Sequence, residues 1–119
     1  NNHKSHVLME ILSSPKHYLF HLHTTSSAEA RRIWRTKIKE RWDNECAYCG
    51  SEENLTIDHV IPRAKGGMNT SKNMVCCCES CNHDKAHTFW EEWYFAQDFF
   101  NTKQYNKIQK MLLEYFINK

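Results

Sequence analysis

Two Cys-x-x-Cys pairs, Cys46/Cys49 and Cys78/Cys81, bracket a segment that carries adjacent Asp58 and His59. Thiolates at this spacing bind one ion from a tight turn, and two such turns complete a tetrahedral site. Four thiolates saturate zinc and leave no position for water, so the pairs predict a structural metal centre. Disulfides are the alternative use of six cysteines. The knuckle spacing and the lack of a secretory pattern favour zinc in a reducing compartment. Cys78 is assigned to the site because it alone of three consecutive cysteines has x-x spacing to Cys81; Cys76 and Cys77 read as small apolar strand residues. Asp58-His59 joins a carboxylate to a ring that titrates near neutral pH. Alone, such a dipeptide is a weak signal.

The elements that must position these residues follow from pattern. Ser26-x-x-Glu29 is a capping box that opens a helix from about residue 28 to 42. Ala30, Trp34, Ile38 and Trp42 recur every four residues as its buried stripe, and Arg31, Arg35 and Lys39 form a basic row on the flank. Residues 55–61 are apolar and β-branched around Asp58-His59 and predict a strand; residues 63–72, with Gly66-Gly67, predict a loop. A second short strand is expected over 74–77 and a helix over 79–87. The last third predicts two helices interrupted near Asn101-Thr102, with aromatic residues in the core. Residues 17–23 alternate well enough for a short strand. His3, His6, His17, His21 and His23 read as solvated positions.

The length of 119 residues fits one domain with an arm at either end. Its core is small, so a structural metal would help stability. A formal charge of +2 does not by itself announce nucleic-acid binding, which depends on local clustering. No apolar run approaches a membrane span and no signal-peptide pattern opens the chain, which predicts a cytoplasmic protein without a membrane partner.

One ordered set of motifs goes further. Cys46-x-x-Cys49-Gly50, then Thr56-Ile57-Asp58-His59-Val60-Ile61-Pro62-Arg63-x-Lys65-Gly66-Gly67, then Asn73-Met74-Val75, and finally Cys78-x-x-Cys81-Asn82-x-x-Lys85 resemble the HNH endonucleases. The likeness is to the zinc-knuckle branch of bacteria, phages and mobile elements. It implies an α+β fold: a ββα-metal (His-Me finger) core stapled by a four-cysteine zinc site and flanked by helices. The chain would divide into an N-terminal arm (1–27), a nuclease core with its preceding basic helix (28–88) and a C-terminal helical extension (89–119).

The resemblance also implies roles. His59 is the expected general base, and Asp58 points the other way from the strand to bind a divalent ion. Asn82 completes the protein half of that shell, and Asn73 fastens the loop and helps orient His59. A carboxylate and an amide oxygen suit Mg²⁺ or Mn²⁺. Arg63, Lys65 and Lys85, with the row Arg31, Arg35 and Lys39, are the expected phosphate contacts. The family's final His is here Asn82, and His83 is its rival for the metal site.

The implied activity is hydrolysis of phosphodiester bonds in double-stranded DNA, leaving 5′-phosphate and 3′-hydroxyl ends. The enzyme would be a monomer or homodimer of phage or mobile-element (homing-like) type, acting in a bacterial or phage-infected cell. The alternative is a zinc-ribbon-like nucleic-acid-binding module without catalysis, which would have no need of Asp58, His59, Asn73 and Asn82 together.

Overall fold

In the computed structural model, which describes residues 11–21 and 26–117, Pro15 opens a first helix, α1 (Pro15–His21). The strand expected over residues 17–23 is therefore a helix as far as it is described. Proline's fixed φ suits the first turn of a helix, and seven alternating residues did not outweigh it. Tyr18 is buried, and its hydroxyl accepts a bond from the Leu12 amide at 3.0 Å. His3, His6 and His23 lie outside the described residues.

The second helix, α2 (Ser27–Arg41), starts where the capping signal placed it. Ser26 is extended, and its Oγ accepts from the Glu29 amide at 3.1 Å. The reciprocal half of the box is not made, because the Glu29 carboxylate turns to Arg32 instead, 2.6 Å away. Ala30, Trp34 and Ile38 are buried, and Trp42 closes the stripe at the C-cap.

Two antiparallel strands, β1 (Leu55–His59) and β2 (Met74–Cys78), form the sheet. Their register pairs Thr56 with Cys77, Asp58 with Val75 and His59 with Met74. Successive side chains point to opposite faces. Ile57 and Met74 join the α2 cluster of Tyr18, Ala30, Trp34 and Ile38. Val75 and Cys77 join a second and larger cluster, which includes Tyr48, Trp93, Tyr94 and Ile108. Helices α3 (Glu79–Lys85), α4 (Trp90–Phe95) and α5 (Thr102–Ile117) complete the fold.

Asn101 Oδ1 accepts from the Gln104 amide at 3.0 Å and so caps α5, which explains the interruption between the last two helices. Ile108, Leu112 and Tyr115 follow at helical spacing and are buried; side chains of this size contribute roughly 1.5–3 kcal/mol each. The result is a small α+β fold. None of its described helices is long and apolar enough to cross a membrane.

Candidate active site and metal centre

Four thiols converge. Cys46 and Cys49 come from a turn closed by Gly50 N–H to the Cys46 carbonyl at 2.9 Å, with Gly50 at a φ of 83° that favours glycine. Cys78 is the N-cap of α3, where its sulfur accepts from the Cys81 amide at 3.4 Å. The four sulfurs lie within 4.8 Å of one another, and Cys49 and Cys78 are 3.6 Å apart. Four sulfurs bound tetrahedrally to one zinc stand about 3.8 Å apart. The donor set therefore fits a structural metal.

The electrostatics agree with that fit. Hydrogen bonds from the Cys77 and Cys81 thiols hold Cys46 far below the ordinary thiol range. The bond to Cys46, then burial, pushes Cys81 far above it. Burial, and then the Cys46 charge, raises Cys49 to about 11. Packed this closely, the thiols cannot all ionise without a cation among them. Cys76 and Cys77 are fully buried core residues, in keeping with their expected role.

Asp58 and His59 leave β1 on opposite faces, as alternation requires. On the Asp58 face, α3 supplies two rungs. Asn82 Nδ2 donates to Thr56 Oγ1 at 3.0 Å, and Lys85 Nζ pairs with Asp58 Oδ2 at 3.0 Å. Thr56 and Asp58 are two apart on the strand, and Asn82 and Lys85 three apart on the helix, so each pair shares a face. Tyr48 OH donates to the same Asp58 oxygen at 3.4 Å. Burial raises the Asp58 pKa from its ordinary value, against the lowering pull of Lys85. Burial, with the Asp58 charge second, pushes the Tyr48 phenol well above its ordinary value and keeps it a donor.

His59 is half-buried at the end of β1, and its Nε2 lies 3.1 Å from Asn69 Oδ1. An amide oxygen only accepts, so Nε2 carries the proton and the lone pair of the neutral ring is on Nδ1. Asn69 belongs to the loop between the strands, and Asn73 holds that loop closed. Its Oδ1 accepts from the Ile61 amide at 2.9 Å, and its Nδ2 donates to the Ile61 and Met68 carbonyls at 3.0 Å each.

Further ties come from the surrounding helices. Trp34 Nε1 donates to Ser71 Oγ at 2.8 Å, Arg41 Nη2 donates to the Ser71 and Met74 carbonyls, and Tyr115 OH accepts from the Met68 amide at 3.1 Å. Burial lowers Arg41 to about 10, which leaves it charged at neutral pH.

Among the expected phosphate contacts, Arg31, Arg35, Arg63 and Lys65 are exposed and Lys39 is half-buried. Lys65 Nζ sits 4.6 Å above the Phe89 ring. Lys85 differs from expectation. It is fully buried and its ammonium faces Asp58 and the His59 carbonyl, so it is not a surface contact for DNA.

His83 is exposed and lines a surface cavity with Ser80, Asp84, Trp93 and Phe99, whereas its neighbour Asn82 reaches β1. Sequence reasoning passed over three partners: Asn69 of His59, Tyr48 of Asp58 and Thr56 of Asn82. Of these, only Asn69 carried a signal, as an amide in the loop that follows the Asp-His strand.

Residues 46–95 match the family model for HNH endonucleases. A stretch of 65 residues is 40% identical to the CRISPR-associated endonuclease Cas9 of Corynebacterium diphtheriae, covering 51% of this chain and 6% of that protein. Another, of 91 residues, is 28% identical to the SPbeta prophage protein YoqL of Bacillus subtilis, which is named for an HNH endonuclease. That match covers 64% of this chain and 38% of YoqL. The chain thus spans well under half the length of either relative. The likeness to HNH endonucleases lies in residues 46–95, somewhat under half of the chain.

Proposed function

We propose that the protein is a metal-dependent DNA endonuclease whose ββα-metal unit consists of β1, β2 and α3. One observation carries this reading. The His59 ring stands at a strand end with Nε2 held by Asn69, while Asp58 on the opposite face meets the helix that carries Asn82.

A ring anchored through Nε2 leaves Nδ1 to take a proton from water. The water oxygen forms a bond to phosphorus, the bond from phosphorus to the 3′-oxygen breaks, and the leaving oxygen takes up a proton from solvent. The products are a 5′-phosphate and a 3′-hydroxyl. General-base help of this kind is worth roughly 10²–10⁴-fold.

Asp58 and Asn82 would hold Mg²⁺ or Mn²⁺. Asp58 Oδ2 is engaged by Lys85 and Tyr48, but Oδ1 has no partner among the described residues, and Asn82 turns only its Nδ2 to Thr56. These two oxygens suit a hard cation. When bound, the ion supplies positive charge to the phosphate and the leaving oxygen. Zinc at Cys46, Cys49, Cys78 and Cys81 is structural.

Arg31, Arg35, Lys39, Arg63 and Lys65 are the proposed phosphate contacts on double-stranded DNA, and such contacts position without reading sequence. One active site cuts one strand, so a monomer nicks, and a double-strand break takes a homodimer or two nicks. The likeness to a prophage protein supports a phage or mobile-element setting. Nicking of supercoiled plasmid, dependent on Mg²⁺ or Mn²⁺ and lost in His59→Ala, tests the reading. A zinc module that binds DNA without cutting it under any divalent ion is the competing outcome.

A further inference from the structure

We propose that Lys85 is a positioning residue of this site, a buried ammonium that holds the Asp58 carboxylate and the His59 carbonyl in one frame. The proposal rests on the nuclease reading above. Lys85 Nζ lies 3.0 Å from Asp58 Oδ2 and 3.0 Å from the His59 carbonyl, and its side chain has no solvent exposure. Burying an ion pair is costly, and replacing a whole buried pair by apolar side chains of similar volume is often neutral or stabilising, although removing one partner alone destabilises. The charge therefore has a use beyond stability.

That use follows from what the ammonium touches. It fixes the backbone of His59, from which the ring departs, relative to the carboxylate on the other face of the same strand. It also neutralises Asp58 on Oδ2, with Tyr48 OH on the same oxygen, and so leaves Oδ1 for a divalent ion. A cation this close to Asp58 repels an incoming dication. Lys85 thus weakens the hold on the ion while it aligns the groups that use it.

The two effects have opposite signs, and a merely structural residue would not produce both. In the zinc-loaded full chain, Lys85→Met is expected to bind Mn²⁺ roughly tenfold more tightly by calorimetry without DNA, because a neighbouring positive charge is gone. Its kcat for plasmid nicking is expected to fall roughly 10–100-fold through lost alignment, with KM for DNA and the salt slope unchanged.

A raised KM with a salt slope reduced by about one and kcat intact would make Lys85 a phosphate contact and overturn the proposal. Mn²⁺ binding that is unchanged or weaker would also overturn it. Lys85→Gln keeps N–H donors without the charge. It is expected to show the same tighter Mn²⁺ binding with a smaller loss of kcat, and it carries the test where Lys85→Met does not fold. Should the wild type fail to nick DNA, the nuclease reading falls. The calorimetric comparison would still decide whether Lys85 opposes a cation at Asp58.

Discussion

Asn73 closes a two-point amide clasp on Ile61, accepting from its N–H at 2.9 Å and donating to its carbonyl at 3.0 Å. A side-chain amide here does the work of a strand partner where the hairpin opens into its loop. Gly67 lies directly against the clasp, since a Cβ there would sit 1.8 Å from the Ile61 carbonyl oxygen.

Asn73→Ala removes three bonds from a fully buried position and leaves backbone groups unpaired. It is expected to cost about 2–4 kcal/mol of stability in denaturant unfolding. Gly67→Ala should loosen the same loop. Both are expected to reduce nicking while zinc content stays at one per chain.

Asn69→Ala isolates the His59 anchor. Asn69 is exposed and makes its side-chain bond to the ring, so the fold should be unaffected. Without the anchor the ring samples other orientations. We expect kcat to fall roughly tenfold, a fraction of what a general base contributes. Wild-type kcat in this variant would remove Asn69 from the site.

The helix ladder around Thr56, Asp58, Asn82 and Lys85 shows how far the sequence could be read. The cysteine spacing anticipated four converging sulfurs, and the capping signal at Ser26 located α2 to within a residue. Those features depend on local spacing alone. The burial of Lys85 does not: a lysine three residues after Asn82 reads as solvated unless the strand beneath is known to hold a carboxylate. The Asn69–His59 bond likewise depends on how a 14-residue loop folds back. The short helix at Pro15 was obscured because alternation over seven residues mimicked a strand, while the contact that settles it, Tyr18 against α2, is tertiary.

Zinc and the divalent ion should separate in their effects. Cys81→Ser is expected to lose zinc and unfold, because metal binding and folding are one equilibrium in a core this small. Withholding Mg²⁺ from the zinc-loaded protein should stop cleavage and leave circular dichroism unchanged. Loss of fold on withholding Mg²⁺ would merge the two centres.

The basic row of α2 should act through charge. Replacing both Arg31 and Arg35 by Ala removes two exposed cations, and the dependence of log affinity on log salt is expected to flatten by about two. An unchanged slope would place the DNA elsewhere.

The most direct measurement is plasmid nicking by the zinc-loaded wild type and His59→Ala, side by side in Mg²⁺ and Mn²⁺. The predicted result is divalent-ion-dependent nicking by the wild type and a loss of roughly 10²–10⁴-fold in the variant, at equal zinc content and circular dichroism. Undiminished nicking by His59→Ala, or none by the wild type with either ion, would contradict the assignment of His59 as the base of a nuclease.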